Sequence, residues 1–123
     1  MNHLEFGKAG EQAAVQFLKR KRYKIVTTNY RAQNAEIDII AYDKKTLCFI
    51  EVKTRSGIAF GAPSEAVGFH KRQKIISAAA QYLAYNTIDS EVRFDVVEVY
   101  ASVKNGRFAL FDIRLIQNAF DNA

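Results

Sequence analysis

The order of predicted helices and strands indicates an α/β or α+β domain, in which helices pack against a mixed sheet of about five strands. Two segments have helical periodicity and five are rich in β-branched and aromatic residues. They follow one another as helix, three strands, helix and two strands. The chain has 123 residues, which suits a single core, so we expect one domain spanning residues 1–123.

The first half of the chain predicts a helix followed by three strands. The helix runs from about Leu4 to Lys21 and carries one apolar face. The strands are rich in β-branched and aromatic residues and cover Tyr23–Tyr30, Ala35–Tyr42 and Leu47–Thr54. Because only the short polar turn Asp43–Thr46 separates the last two strands, we expect them to form a hairpin.

The second half predicts a loop, a helix and a second hairpin. The segment Arg55–Glu65 contains two glycines and the only proline of the chain, which is typical of a loop. A helix follows, with its core from about Lys71 to Tyr85. The strands Val92–Tyr100 and Arg107–Ile113 flank the dipeptide Asn105-Gly106, which is the strongest short signal for a tight hairpin turn.

Composition favours a soluble cytoplasmic protein. Hydrophobic residues make up 49% of the chain and charged residues 25%. No apolar run approaches the roughly 20 residues of a membrane span, so we expect no membrane partner. The N-terminal residues lack the basic and apolar regions of a signal peptide. Cys48 is the only cysteine, which excludes an internal disulfide and a cysteine-based zinc site.

The charge distribution indicates a nucleic-acid partner. The formal net charge is +5, and basic residues cluster at 19–22 and at 70–74. Such clusters bind the phosphates of nucleic acids. The alternative is that these lysines and arginines are merely solvated.

On one face of the predicted central hairpin, the half near the turn is apolar and the other half is charged. If Asp43–Thr46 forms the turn, Asp38 faces Glu51 and Glu36 faces Lys53. Directly opposed carboxylates destabilise a sheet unless a cation lies between them, and Mg²⁺ takes carboxylate ligands. The other face of the hairpin is apolar throughout: Ile37, Ile39, Ala41, Cys48, Ile50 and Val52.

Lys53 follows Glu51 on the same face of its strand. An ammonium there suits a phosphate-hydrolysing site, because it can position a nucleophilic water or stabilise developing charge on the phosphate. The alternative is a surface ion cluster, in which Glu36 pairs with Lys53 while Asp38 and Glu51 are solvated.

Glu11 is a carboxylate within the apolar arc of the first helix. Because a carboxylate aimed at the core needs a partner, we expect Glu11 to reach the same cation or water cluster as Asp38 and Glu51. The alternatives are a buried ion pair and a carboxylate stabilised by the helix dipole. The arc consists of Phe6, Gly7, Gly10, Ala14, Val15, Phe17 and Leu18.

These residues resemble the PD-(D/E)xK nuclease signature, in which a helix and the central hairpin of a mixed sheet hold an Asp and a Glu-x-Lys. The chain is more closely similar to the YraN-type family of uncharacterised bacterial proteins, of the restriction-endonuclease-like superfamily. The pattern departs from the superfamily at Ile37, where a proline is common, and from the family at Ala35, where glycine is usual. The matching segments, in order, are GKAGEQAA, NYR, EIDIIAYD, FIEVKTR, FGAPSEAV, HKRQKI and RFDVVEV.

The resemblance implies a restriction-endonuclease-like core and a DNA endonuclease that depends on Mg²⁺ or Mn²⁺. By position, Glu11, Asp38 and Glu51 would be the metal-side carboxylates, and Lys53 would assist the attacking water. Archaeal Holliday-junction resolvases are similar in layout, which makes branched or structured DNA a candidate substrate. Similar small nucleases often work as homodimers, although no segment of this sequence identifies an interface.

Three further residues are candidates for contact with the phosphate backbone of DNA. They are Arg55, which follows the Glu-x-Lys, and Lys71 and Arg72 at the start of the second helix. Lys71 projects to the edge of the apolar arc, where it points either at a bound phosphate or into solvent. Two other function classes remain open: a non-catalytic nucleic-acid-binding module, and a protein-interaction domain whose charges pair with one another.

Overall fold

The computed structural model describes residues 1–32, 34–56 and 67–121. Most of the predicted loop, residues 57–65, lies outside these ranges, but Arg55 and Ser56 belong to the third strand rather than to a loop. Within the described ranges the chain forms two helices and five strands in the predicted order: α1 (His3–Arg20), β1 (Lys24–Arg31), β2 (Glu36–Asp43), β3 (Thr46–Ser56), α2 (Phe69–Tyr85), β4 (Glu91–Lys104) and β5 (Arg107–Phe120).

The five strands form a mixed sheet in the order β1-β2-β3-β4-β5. Strands β3 and β4 are parallel, and the other neighbours are antiparallel. Helix α2 lies between β3 and β4 in the sequence and provides the crossover that a parallel pair requires. The fold is therefore an α+β arrangement with a five-stranded mixed sheet, as predicted.

The last two strands are longer than predicted. β4 continues to Lys104 and β5 to Phe120, whereas the sequence predicted ends at Tyr100 and Ile113. The pairing of β4 with β5 shifts register twice, and each irregularity interrupts the alternation from which a strand is recognised. The Asn105-Gly106 turn is confirmed, with φ of 52° and 75°, both positive as a type I′ turn requires.

The two helices pack on opposite faces of the sheet. Along β2 the two faces do not simply alternate, because Ile37 packs in the α2 cluster with Ile40 and not with Ile39 as predicted. The α1 cluster includes Ala14, Leu18, Ile39, Ala41, Cys48 and Ile50. The α2 cluster includes Ile37, Ile40, Leu47, Phe49, Ile75, Ala79 and Tyr82.

The turn between β2 and β3 defines one end of the sheet, and the opposite end lies where β2 begins and β3 continues past Ile50. We call these the turn end and the open end. The first half of α1 and the first turn of α2 lie near the open end, through contacts of Gly10 with Thr54 and of Lys71 with Glu51. Neither helix, among the described residues, has the length and apolar character needed to cross a membrane.

Candidate active site

The register of the β2–β3 hairpin is the predicted one from the Asp43–Thr46 turn to the pair Ile39 and Ile50. The ladder ends there, so the predicted backbone pairing of Asp38 with the facing carboxylate is not formed. Instead, a carboxylate oxygen of Asp38 accepts a hydrogen bond from the backbone N–H of Val52 at 2.8 Å. The two strands therefore part at the open end, and the side chain of Asp38 fills the gap between their backbones.

Three carboxylates converge where the strands part. Burial, followed by the negative charge of Glu51, raises the pKa of Asp38 from 3.8 to about 7. Burial, followed by the charges of Glu36 and Glu51, also raises the pKa of Glu11. Because Glu51 acts on both groups, the structure brings the three predicted metal-side carboxylates into one electrostatic cluster, whose mutual repulsion opposes ionisation.

Glu11 reaches this cluster because α1 packs unusually close to β3. Gly10 is buried, and a Cβ built on it would lie 2.6 Å from Thr54 Cγ2 and 2.8 Å from Thr54 Cβ. Only glycine permits this approach, which explains a residue of poor helix propensity in the middle of a helix. The contact brings the backbone next to Glu11 down onto the sheet.

Asn29 and Arg31 on β1 bind the carboxylates on the α1 side of the cluster. In the orientation that hydrogen bonding favours, the Asn29 amide nitrogen lies 2.9 Å from Glu36 Oε1 and 3.1 Å from Glu11 Oε2. Arg31 Nε lies 3.9 Å from Glu36 Oε2. Glu36 is thus held by β1, and the alternative in which it pairs with Lys53 is not what the structure contains.

A groove of about 740 Å³ gives access from solvent to two of the three clustered carboxylates, Glu11 and Asp38, whereas Glu51 does not line it. It runs between α1, β1 and β2, and Glu11, Glu36 and Asp38 line it together with the cationic Lys8 and Arg31. A ligand in this groove would contact both the carboxylates and these flanking cations.

Glu51 is the most deeply buried of the three carboxylates, with 5% of its side chain exposed. It forms an ion pair with the ammonium of Lys71, whose side chain is 53% exposed. Burial by itself lowers the pKa of Lys71, but the hydrogen bond and negative charge of Glu51 outweigh this, so the pKa is raised. Lys71 therefore contacts a carboxylate of the candidate site, although about half of its side chain stays exposed.

The two helices differ in how charge is placed at their ends. α1 begins with a capping box between Asn2 and Glu5 and has Lys19 and Arg20 in its last turn, as the helix dipole favours. α2 begins after Gly68, which has no side chain for capping, and has no acidic residue in its first turn. The basic cluster 70–74 lies at that start instead. Positive charge at a helix N-terminus is unfavourable by itself but becomes favourable beside a bound anion.

The remaining predicted site residues lie around this cluster with different partners. Arg55 Nε lies 3.8 Å from Oε2 of Glu98, whose side chain is only 2% exposed. The guanidinium of Arg72 lies 5.9 Å from the centre of the Phe69 ring. Lys53 is partly exposed, stands in register beside Glu98, and within the described ranges has no carboxylate at ion-pair distance. Its ammonium therefore forms no salt bridge with any residue that the structure describes.

A second polar network, which the sequence analysis missed, lies at the turn end of the sheet. Tyr23 donates a hydrogen bond to Asp95 Oδ2 at 3.0 Å, and burial raises the pKa of this phenol to about 12. Arg93 bonds Asp95 through Nε at 2.8 Å and Asp43 through Nη2 at 2.9 Å. Asp95 is fully buried. Asp95 and Glu98, which interrupt the apolar stretch from Phe94 to Tyr100, were the available signal, since carboxylates are rarely buried without partners.

The basic cluster at residues 19–22 belongs to this turn end. It ends α1 and is followed directly by Tyr23, while the cluster at 70–74 begins α2 beside Glu51. The two basic clusters are therefore separated by the length of the sheet, and only the second adjoins the candidate site.

The side chains at the open end suit a hard divalent cation in their chemistry. Carboxylate oxygens are the ligands that Mg²⁺ and Mn²⁺ take, and a cation would relieve the repulsion that, after burial, raises the pKa of Asp38 and Glu11. Among the residues that the structure describes, no three His, Cys, Asp or Glu side chains are already arranged around one metal position. One of the three carboxylates, Glu51, is instead paired with the ammonium of Lys71.

Comparison with known sequences identifies a family. Residues 10–99 match the profile described as "Uncharacterised protein family UPF0102". A UPF0102 protein of Acetivibrio thermocellus is 49% identical over 116 residues, covering 93% of this chain and 89% of the relative. One of Chlorobium phaeobacteroides is 49% identical over 118 residues, covering 94% of each.

A third relative, from Clostridioides difficile, is 46% identical over 121 residues, which are 98% of this chain and 100% of the relative. The matched region contains Glu11, Asp38, Glu51 and Lys71. By the family profile and by these relatives, the chain belongs to the UPF0102 family.

Proposed function

We propose that this protein is a DNA endonuclease that uses Mg²⁺ or Mn²⁺ to hydrolyse phosphodiester bonds, with branched or structured DNA as a candidate substrate. The observation that carries the proposal is the convergence of Glu11, Asp38 and Glu51, where burial, followed by the charge of Glu51, raises the pKa of Asp38 to about 7. Such an arrangement is unfavourable for folding, and perturbed carboxylates in a cleft are characteristic of functional sites. We assign the chain on the same grounds to the restriction-endonuclease-like superfamily.

Asp38 and Glu51 would hold the cation, and Glu11 would complete its shell or orient the attacking water. The cation, when bound, supplies positive charge that stabilises the phosphate as its negative charge increases. Lys53, two residues beyond Glu51 on β3, would assist the attacking water and stabilise the same charge. Water adds to phosphorus, the bond to one sugar oxygen breaks, and that oxygen takes up a proton. One strand end then carries a phosphate and the other a hydroxyl.

The start of α2 supports a polyanionic substrate. Its first turn combines a missing N-terminal cap with Lys71 and Arg72 and with no acidic residue, against the preference of the helix dipole. A backbone phosphate near Gly68 would receive both the N–H groups of the first turn and the basic side chains. Arg55 lies on the same side of the open end, although its guanidinium is directed to Glu98.

A cleavage assay tests the catalytic part of this proposal. Purified protein would be incubated with Mn²⁺ and with linear, flapped and four-way DNA. Glu51→Gln and Lys53→Ala are the test variants, and Lys19→Ala at the turn end is the matched surface control. We expect the control to cut as wild type does and both test variants to lose at least about 100-fold in rate, as loss of catalytic groups typically does. Cleavage of equal rate by Glu51→Gln would refute the proposal.

The salt dependence of DNA binding tests the proposed interface. Each phosphate contact contributes about 0.9 to the slope of log affinity against log salt concentration for duplex DNA. We expect Lys71→Ala and Arg72→Ala each to reduce this slope by about 1, and Lys19→Ala and Arg22→Ala at the turn end to leave it unchanged. An equal reduction of the slope by the turn-end variants would refute the placement of the interface at the start of α2.

A non-catalytic nucleic-acid-binding module is the second candidate. The Glu51–Lys71 ion pair favours it, because Glu51 is already neutralised without a metal. This candidate predicts salt-dependent DNA binding that persists in Glu51→Ala, no heat of Mn²⁺ binding and no cleavage of any substrate. Absence of DNA binding even at low salt would exclude both candidates and favour a protein-interaction domain. For either nucleic-acid function we propose the cytoplasm as the compartment.

A further inference from the structure

Glu51, a proposed metal ligand, is paired with the ammonium of Lys71. The ammonium reaches the carboxylate from the first turn of α2 and contacts Oε1. Glu51 is 5% exposed and fixed on a central strand, whereas the side chain of Lys71 is 53% exposed. The pair thus joins an immobile buried carboxylate to a long side chain that can swing into solvent without disturbing the core.

We infer that Lys71 is an exchangeable counter-ion, which neutralises Glu51 in the metal-free protein and is displaced when a divalent cation binds. The inference rests on the proposed function, since it assumes that the cation binds at Asp38 and Glu51. A cation entering between these carboxylates meets an ammonium already in contact with one of them. A divalent cation and the Lys71 ammonium would repel each other if both contacted Glu51. Metal binding and the Glu51–Lys71 pair therefore exclude one another.

The displaced side chain has a second place to bind. It extends from the N-terminus of α2, where Gly68 provides no capping side chain and Arg72 is one residue further on. A substrate phosphate at this terminus would take up the ammonium that the metal has released. By linkage, a ligand that binds the displaced Lys71 also strengthens metal binding, so metal and DNA would bind with positive cooperativity.

A titration of Mn²⁺ into the metal-free protein, followed by calorimetry, tests the exchange. Lys71→Met removes the competing charge and keeps the length of the side chain. Lys71→Arg retains a competing cation. Lys74→Met removes the same charge from an exposed position one turn further along α2, and so controls for long-range electrostatics.

We expect Lys71→Met to bind Mn²⁺ at least about tenfold more tightly than wild type, within the range typical of coupling between two ligands. Lys71→Arg and Lys74→Met should stay within about twofold of wild type, since a separated surface charge is largely screened. Equal or weaker Mn²⁺ binding by Lys71→Met, while Glu51→Gln still abolishes it, overturns the exchange and leaves the proposed metal site intact. If neither wild type nor Lys71→Met gives any heat, both the exchange and the metal site are wrong.

Thermal unfolding gives a readout that does not depend on activity. It also measures any loss of stability that the substitution itself causes. Removing Lys71 leaves Glu51 buried and unpaired, so Lys71→Met should have a lower Tm than wild type in EDTA. Saturating Mn²⁺ should raise its Tm by more than it raises that of wild type. Equal rises in both proteins would contradict the exchange.

The transfer of Lys71 to phosphate is tested by the affinity for a labelled DNA duplex in Mn²⁺. A Lys53→Met background keeps the strands intact during the measurement. We expect Lys71→Met to weaken DNA binding several-fold in this background, opposite in sign to its effect on Mn²⁺. If Mn²⁺ binding tightens while DNA binding is unchanged, Lys71 is a counter-ion of Glu51 alone. The proposed move of its side chain to a DNA phosphate is then refuted.

Discussion

The close packing of α1 on β3 makes a quantitative prediction about two glycines of one helix. In Gly10→Ala the new methyl group would lie 2.6 Å from Thr54 Cγ2 and 2.8 Å from Thr54 Cβ. Rotation of the threonine side chain moves Cγ2 away but leaves Cβ fixed to the backbone of β3. The helix must therefore move off the sheet.

Two effects of opposite sign determine the result at Gly10. Replacing glycine by alanine inside a helix gains about 1 kcal/mol in helix propensity. Overpacking a well-packed contact costs typically about 1–3 kcal/mol, and this contact lies at the severe end because a backbone-bound atom is involved. We expect Gly10→Ala to lower the free energy of unfolding by about 1–2 kcal/mol.

Gly7 provides the matched control, since it lies on the same helix and a Cβ built there meets nothing within 4 Å. Gly7→Ala should therefore raise the free energy of unfolding by about 0.5–1 kcal/mol. Urea unfolding followed by circular dichroism measures both variants against wild type. The shift of α1 in Gly10→Ala should also weaken Mn²⁺ binding, because Glu11 is the next residue.

A double-mutant cycle identifies the contact. Thr54→Ala removes Oγ1 and Cγ2 but leaves Cβ, so it should recover part of the loss caused by Gly10→Ala. If Gly10→Ala proves as stable as Gly7→Ala, the helix does not approach the strand as described, and the placement of Glu11 must be rejected.

Two further predictions concern the buried polar groups at each end of the sheet. Because the pKa of Asp38 is about 7 when folded, against an ordinary value of 3.8, the native state binds the extra proton between these pH values. The free energy of unfolding therefore falls as pH rises through this range, and Asp38→Asn should be more stable than wild type by up to about 4 kcal/mol at pH 8 but not at pH 4, in urea unfolding with EDTA. A gain that is the same at both pH values would contradict the raised pKa. At the turn end, Tyr23→Phe removes the donor to Asp95 and should cost about 1–3 kcal/mol of stability while leaving Mn²⁺ affinity unchanged. Weaker Mn²⁺ binding by Tyr23→Phe would show that the two ends of the sheet are coupled.

Local pattern was sufficient for most of the fold. The β2–β3 register followed from a short turn with alternating apolar residues, and the structure pairs Ile40 with Phe49 as that register requires. The two-residue turn between the paired Asp43 and Thr46 fixes this register, because turn length determines which residues of a hairpin face each other. The buried Ala14 and Leu18 of α1 likewise follow from helical periodicity.

Features that break local periodicity were not predictable in the same way. The ends of β4 and β5 were placed too early, because two register shifts interrupt the alternation and β5 is an exposed edge strand. Ile37 was assigned to the wrong face, because a strictly alternating strand was assumed through Asp38. In each case the strand departs from ideal geometry at residues whose spacing alone gives no sign of it.

The sequence by itself placed Asp38 and Glu51 on the charged half of one hairpin and Glu11 within the apolar arc of the first helix, and their proximity was an expectation from that pattern. Only the tertiary structure decided what neutralises them. The partner of Glu51 is an ammonium 20 residues further along the chain, brought back by the β3–α2–β4 crossover. Ion pairs of this kind depend on where a helix starts in space relative to a strand, and the packing of both against the core determines that position.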